Sequence, residues 1–390
     1  MKIGFYIGEL TPETGGGFTF QNSILNALEK FDSNHEIIIF YKSGVVSEPM
    51  DKKSSYFKIK DCNLFSKIKD KIFKFLSVPN YDNQLNKIVL KNKIDFMWFL
   101  SPIFYADVKV PFAFTVWDLQ HRLQPCFPEV SYDNSFDFSK REKLYEKILP
   151  RATHIITGTD VGRNEVSFFY KIPLARIKKI PFPVPEFAVN YSKMDIKKEN
   201  DIELPECPFI FYPAQFWSHK NHIVILKAIK KLSEMKINIC AVFTGSDQGN
   251  KKYIIDKINE MGLDNKVKII GYVSYETLAY IYKKTFALVF PTYFGPDNLP
   301  PLEAMALGCP AIVSDVAGAR EQYGDSAIFF DPKDHEALVV VLIKLLNDKQ
   351  FKENVINKGL NRSMQFNSND YIAKIIETIE DFEPIRECWR

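Results

Sequence analysis

Between Phe290 and Pro310, a loop of Gly, Pro, Asp and Asn separates an apolar run from a short helical pattern carrying one carboxylate, Glu303. The apolar run, residues 286–290, predicts a buried strand. Pro301 predicts the first helical position, with Glu303 in the first turn and Gly308 at the close. N–H groups at such a helix start, with the positive end of its dipole, suit a phosphate or a sugar hydroxyl. A carboxylate one turn in can accept two hydrogen bonds from a ribose diol. Together these residues outline a nucleotide-sugar site. The plainer alternative for Glu303 is a favourable contact with the helix dipole.

Further candidates stand where apolar runs end. Gly15, Gly16 and Gly17 form a loop ahead of a helix expected from about residue 18, and glycine there lets backbone approach a phosphate or an acceptor. Their spacing is not that of a dinucleotide fingerprint. Asp118 and His121 follow the run 112–116, where either can hydrogen-bond a sugar or acceptor hydroxyl; turn formation alone also explains an aspartate after a strand. No Asp-x-Asp follows a strand and no His/carboxylate cluster is present, so no metal is expected. The glycine run lacks the Gly-Lys-Ser/Thr ending of a phosphate-binding P-loop.

The elements that must position these residues alternate strand and helix through both halves, which predicts an α/β fold with parallel sheets. Strands are expected at 2–7, 37–41, 96–100, 112–116, 154–157 and 177–180, then at 209–212, 239–244, 267–270, 286–290, 311–314 and 328–330. A run of prolines at 181–185 and a polar stretch after it read as a linker. The expected organisation is a first doubly wound domain over 1–185, a linker over 186–205, a second such domain over 206–369, and a final helical segment over 370–390. Ligands of such sheets bind outside the C-terminal strand ends, so two facing domains place their sites in one cleft.

The segment 290–310 resembles the donor-site signature of retaining, family-4-type (group 1) glycosyltransferases of the GT-B fold, with two Rossmann-like domains facing across a cleft. The resemblance implies that the final helix, 370–390, crosses back to the first domain. The family has two glutamates eight residues apart, and Glu303 matches the second, which holds the ribose. The first falls on Gly295, a departure that removes a contact to the transferred sugar; Asp297 stands two residues on. The family's arginine and lysine on the donor diphosphate correspond to Gln215, a second departure, and to Lys220. Arg320 or a protonated His219 are candidates for the missing cation. Trp117 stands where many members have histidine, beside the retained Asp118. The resemblance implies catalytic roles for Asp118, Lys220 and Glu303. It implies donor contacts from Gly16, Gly17, Gln215, Asn221, Gly245 and Tyr272, and from Asp297, Asn298 and Leu299. On the acceptor side it points to His121 and Arg163.

What the resemblance implies is metal-independent transfer of a hexose, such as mannose, from a UDP- or GDP-linked donor to a glycan or lipid-linked acceptor in surface polysaccharide synthesis. The nucleotide sugar is a co-substrate, and no further cofactor is implied. A nucleotide-sugar epimerase and a non-catalytic nucleotide-sugar binder remain as alternatives. The net charge of +3 divides into 26 basic against 21 acidic residues over 1–190 and 25 against 27 over 191–390. Much of the first-half excess lies at 52–74, where residues 64–76 pattern as a basic amphipathic helix that suits either a membrane surface or an ordinary solvated face. Basic residues confined to one stretch do not indicate nucleic-acid binding. Six scattered cysteines without a Cys-x-x-Cys pair, and no apolar segment near bilayer length, lead to an expected cytoplasmic setting, peripheral to the inner face of a membrane.

Overall fold

The computed structural model describes residues 1–8, 11, 15–42, 55–59, 83–102, 108–131, 138–196 and 202–389. The basic segment 64–76 lies outside the described residues. Two parallel sheets organise the chain. The first has seven strands in the order β3-β2-β1-β4-β5-β6-β7. These are Lys2–Ile7 (β1), Glu36–Lys42 (β2), Ser55–Ile59 (β3), Phe96–Phe99 (β4), Phe112–Thr115 (β5), His154–Thr157 (β6) and Ile177–Lys179 (β7). The second has six strands in the order β10-β9-β8-β11-β12-β13. They are Phe209–Pro213 (β8), Cys240–Thr244 (β9), Val267–Gly271 (β10), Ala287–Phe290 (β11), Ala311–Ser314 (β12) and Ile328–Phe330 (β13).

Central strands such as Phe-Met-Trp-Phe in β4 and Phe-Ala-Phe-Thr in β5 are buried throughout. Helices cover both faces of each sheet, so these strands read as unbroken apolar runs. The strand β3 was not expected. It lies at a sheet edge within the lysine-rich stretch, where lysines interrupt the apolar pattern. The helix after β1 spans Gly16–Lys30, so two of the three glycines form its first turn and not a preceding loop. Gln21 ties that helix to the strand end, its side chain accepting from Gly8 N at 3.0 Å and donating to Gly8 O at 3.2 Å. The polar stretch expected as linker contains a helix, Glu186–Ser192, because Phe187 and Ala188 find burial against the second core.

Both sheets reverse strand order at one point, between β1 and β4 and between β8 and β11. Strand ends diverge there and leave a crevice. The chain passes between the two cores twice. Phe182 belongs to the first and Val184 to the second; Phe366 belongs to the second and Tyr371 to the first. The two crossings are bonded together, Val184 N donating to Phe366 O at 2.8 Å. The returning helix, Ser368–Glu380, buries Tyr371, Ile372, Ile375, Ile376 and Ile379 against Phe20, Ile24 and Trp98. Each such buried side chain contributes about 1.5–3 kcal/mol.

Beyond that helix, Arg386 forms an ion pair with Asp95, a carboxylate only 6% exposed that also accepts from Lys2 N at 2.8 Å. Replacing Arg386 by Ala leaves a buried carboxylate short of one charged partner. The expected loss is about 1.5–3 kcal/mol, read as a lower denaturant midpoint for the first core, with the second core's transition unmoved.

Candidate active site

A cavity of about 330 Å³ lies where the two switch points face each other. From the first half it is lined by Gly15–Gly17, Trp117 and Asp118, and from the second by Lys220, Gly245, Tyr272, Asp297 and Glu303, among others. The first-turn N–H groups of the helix Gly16–Lys30, which no intrahelical carbonyl can serve, lie along its wall.

Glu303 sits on the helix Leu299–Ala306. That helix starts two residues earlier than Pro301 suggested, since Pro300 and Pro301 fit a first turn that needs no N–H partners. Glu303 is therefore in the second turn. Its side chain is buried and accepts from Tyr282 Oη at 2.8 Å. Burial pushes its carboxyl up to about 7, against the opposing effect of the Tyr282 hydrogen bond. Tyr282 had no signal in the sequence beyond an aromatic at helical spacing.

Lys220 ends a single 3-10 turn, Ser218–Lys220, with its Nζ 5.3 Å from the Phe290 ring centroid. Burial lowers its ammonium to about 8, while Asp118 and Glu129 act in the opposite direction. Asn221 follows in the left-handed region, φ 57°, and does not line the cavity. Its side-chain nitrogen donates to Pro291 O at 3.0 Å and Pro332 O at 2.8 Å, so it braces the strand ends that carry the site. Gln215 lines the cavity with its amide engaged locally, donating to Ser246 Oγ at 3.0 Å and accepting from Trp217 Nε1 at 3.1 Å.

Asp118 accepts from Gln120 N at 2.9 Å and from Arg141 Nη2 at 2.7 Å. Burial alone would raise its carboxyl; Arg141 and the Gln120 N–H outweigh that and hold it below the usual range. It is an ionised carboxylate facing the cavity. Asp297 also lines the cavity, but its carboxyl lies against Gly158 of the first half, where an added Cβ would come within 2.0 Å of Oδ1. Burial, with the carboxylates of Glu321, Asp118 and Glu165 nearby, raises Asp297 well above the normal range.

Three expected groups face elsewhere. His121 is buried in the first core, with Nε2 3.1 Å from Tyr170 Oη, and burial drives its pKa to about 3. Arg163 donates to Ile177 O at 3.1 Å and Leu174 O at 3.2 Å, tying its helix to β7. Arg320 is exposed and paired with Asp315 at 2.9 and 2.6 Å. His219 borders the cavity, but burial lowers its pKa and Glu129 occupies its ring. Among the described residues lining the cavity, Lys220 is the one lysine or arginine. No group of three or more His, Cys, Asp or Glu side chains among the described residues is arranged to hold a metal ion.

Gly295 lines the cavity with φ 128°, and a Cβ there would meet Asn298 Nδ2 at 2.4 Å. Asn298 fills the space and donates to Gly295 O at 2.7 Å. The loop at Gly295 therefore leaves no room for a larger side chain without moving Asn298.

Comparison with known proteins agrees with this geometry. Residues 194–362 match the family "Glycosyl transferases group 1". The chain is 27% identical over 236 residues to an uncharacterized glycosyltransferase, MJ1607, of Methanocaldococcus jannaschii, covering 59% of each. It is 25% identical over 228 residues to O-antigen chain mannosyltransferase B of Escherichia coli, covering 58% of this chain and 60% of that one. The matches thus span about three fifths of these relatives' length. Anabaena HepE, solved in complex with UDP-glucose, superposes with a TM-score of 0.68 at 14% identity, over 98% of this chain and all of that one. Residues 194–362 are thus similar to group 1 glycosyltransferases, and the whole chain has the GT-B fold.

Two outcomes follow. Glu303 is ionised above about pH 7 and Lys220 is charged below about pH 8, so the carboxylate and the ammonium should coexist only between those values, checked by the pH dependence of their side-chain NMR signals. Gly295→Glu should not improve function. The left-handed backbone and the Asn298 contact predict a loss of about 1–3 kcal/mol in stability and weaker nucleotide binding, checked by thermal unfolding and calorimetry.

Proposed function

We propose that this chain is a retaining hexosyltransferase. It moves a sugar, mannose or another hexose, from a UDP- or GDP-linked donor to a glycan or lipid-linked acceptor in surface polysaccharide synthesis. The observation that carries the reading is the meeting of Lys220 and Glu303 with the Gly16 helix start around one cavity. A diphosphate needs the cation and the N–H groups; a ribose diol needs the buried carboxylate. The mannosyltransferase relative and the UDP-glucose complex of HepE support a nucleotide-hexose donor.

In the proposed reaction the bond from the sugar's anomeric carbon to the β-phosphate oxygen breaks, and a bond to the acceptor oxygen forms on the same face. The acceptor proton passes to the departing phosphate oxygen. Charge growing on that oxygen is met by Lys220 and by the first-turn N–H groups, which are already oriented before reaction. Asp118, ionised and fixed by Arg141, is placed to accept from an acceptor or sugar hydroxyl. Phosphate charge is met by protein groups, so transfer is proposed to be metal-independent, and EDTA should leave the rate unchanged. A cytoplasmic setting with lipid-linked acceptor met at the membrane surface completes the proposal. Among the described residues no helix is long and apolar enough to cross a membrane.

Glu303→Ala and Lys220→Ala should each lower kcat/KM for donor by about ten- to more than a hundredfold, the cost of one charge-assisted contact, with the fold retained. A thermal-shift screen against UDP-, GDP-, ADP- and dTDP-sugars identifies the base. Stabilisation by one nucleotide that survives Glu303→Ala would remove Glu303 from the ribose, and nucleotide binding without turnover would favour the non-catalytic reading.

A further inference from the structure

A strap from the first half crosses to the second at the Lys220 end of the cavity. After β5 the chain forms two short helices, Gln120–Leu123 and Pro128–Ser131, and the residues between and within them reach the opposite domain. Gln124 Nε2 donates to Tyr293 O at 2.8 Å. The Phe127 ring lies 6.1 Å from His219 and 5.9 Å from Tyr293. Glu129 Oε1 accepts from His219 N at 3.1 Å and is also hydrogen-bonded to Nδ1 of that ring. The side chains of Glu129 and His219 are only 8% and 11% exposed, so water competes poorly for this bond.

His219 and Tyr293 belong to the loops after β8 and β11, the two loops of the second sheet's switch point. They are joined, Tyr293 N donating to His219 O at 2.9 Å. Tyr212 Oη donates to Lys220 O at 2.7 Å from beneath. The turn Ser218–Lys220 is therefore held by its own domain from two sides and by Glu129 from across the cleft. Glu129 itself does not line the cavity.

On the glycosyltransferase reading above, we infer that Glu129 is a positioning residue for the leaving-group cation: its bond to His219, made only when the two domains meet, fixes the turn that presents Lys220 to the departing diphosphate. The chemistry suits this role. A carboxylate receiving both a main-chain N–H and an imidazole N–H holds the backbone and side chain of one residue together, and the next residue carries the ammonium. A small displacement of such a group costs rate out of proportion to its size, since the catalytic benefit lies in orientation set before reaction. Ground-state nucleotide binding keeps the Lys220 charge and the helix-start N–H groups within reach, so it tolerates a small displacement of the turn better than turnover does.

The test compares full-length wild type, Glu129→Ala and Glu129→Gln. Turnover is measured with UDP-glucose and GDP-mannose, affinity by calorimetry with UDP and GDP, and folding by thermal unfolding. Glu129→Ala should lower kcat about tenfold or more, while donor KM and nucleotide Kd move by less than about twofold. Glu129→Gln should recover part of the rate, because its amide oxygen still accepts from His219 N. It also carries the test should the alanine variant fail to fold. Wild-type kcat in Glu129→Ala, an equal fall in kcat and nucleotide affinity, or no advantage of Gln over Ala would overturn the inference. A wild type that turns over no nucleotide sugar, by contrast, overturns the glycosyltransferase reading itself.

Discussion

The cavity exists because the chain returns to its first core after completing the second. Tyr371 on the returning helix shares a cluster with Phe20 and Phe182, and Leu299, which opens the Glu303 helix, packs into the same cluster. One apolar contact set therefore spans the first sheet, the returning helix and the start of the Glu303 helix. Glu303 is placed by burial of its helix start in the opposite domain. Without that packing the two switch points would have no fixed distance between them, and the polar groups around the cavity would have no common geometry.

On this apolar frame the electrostatics divide into groups held charged and groups held neutral. Asp118 is kept ionised by Arg141 and Lys220 remains a cation near neutrality, whereas burial among other carboxylates pushes Asp297 towards its neutral form. Glu165, raised to about 7 by burial and by Asp118, belongs with the neutral set at mildly acid pH. A site with one lysine and several carboxylates would repel a diphosphate if all were ionised. Burial that opposes ionisation of Asp297 and Glu165 reduces that repulsion beside the ammonium and the helix-start N–H groups.

The strands were legible because both faces of each sheet are covered, which turns central strands into unbroken apolar runs. β3 was not, since an edge strand with lysines loses that pattern. The alternation of elements and the loop and helix around Glu303 were also legible, and Lys220, Glu303, Asp118 and the glycine run all border the cavity. What could not be read was direction. His121 and Arg163 have residue types and places suited to a cleft, yet their side chains turn inward to Tyr170 and to β7. Asn221 has the same neighbours in sequence as Lys220, but a left-handed backbone sends its amide the other way. Pairs such as Glu129 and His219, 90 residues apart, leave no local pattern at all.

The bond between Val184 and Phe366 has a mechanical consequence. Two crossings that are tied side by side act as one axle, so the halves cannot slide or twist past each other without breaking that bond. A swing of one half about that axle would keep the bond, with displacement growing with distance from it. Every contact across the mouth is then gained or lost along a single coordinate, and an amino-acid change that alters the axle would be felt at the far rim before it was felt in either core.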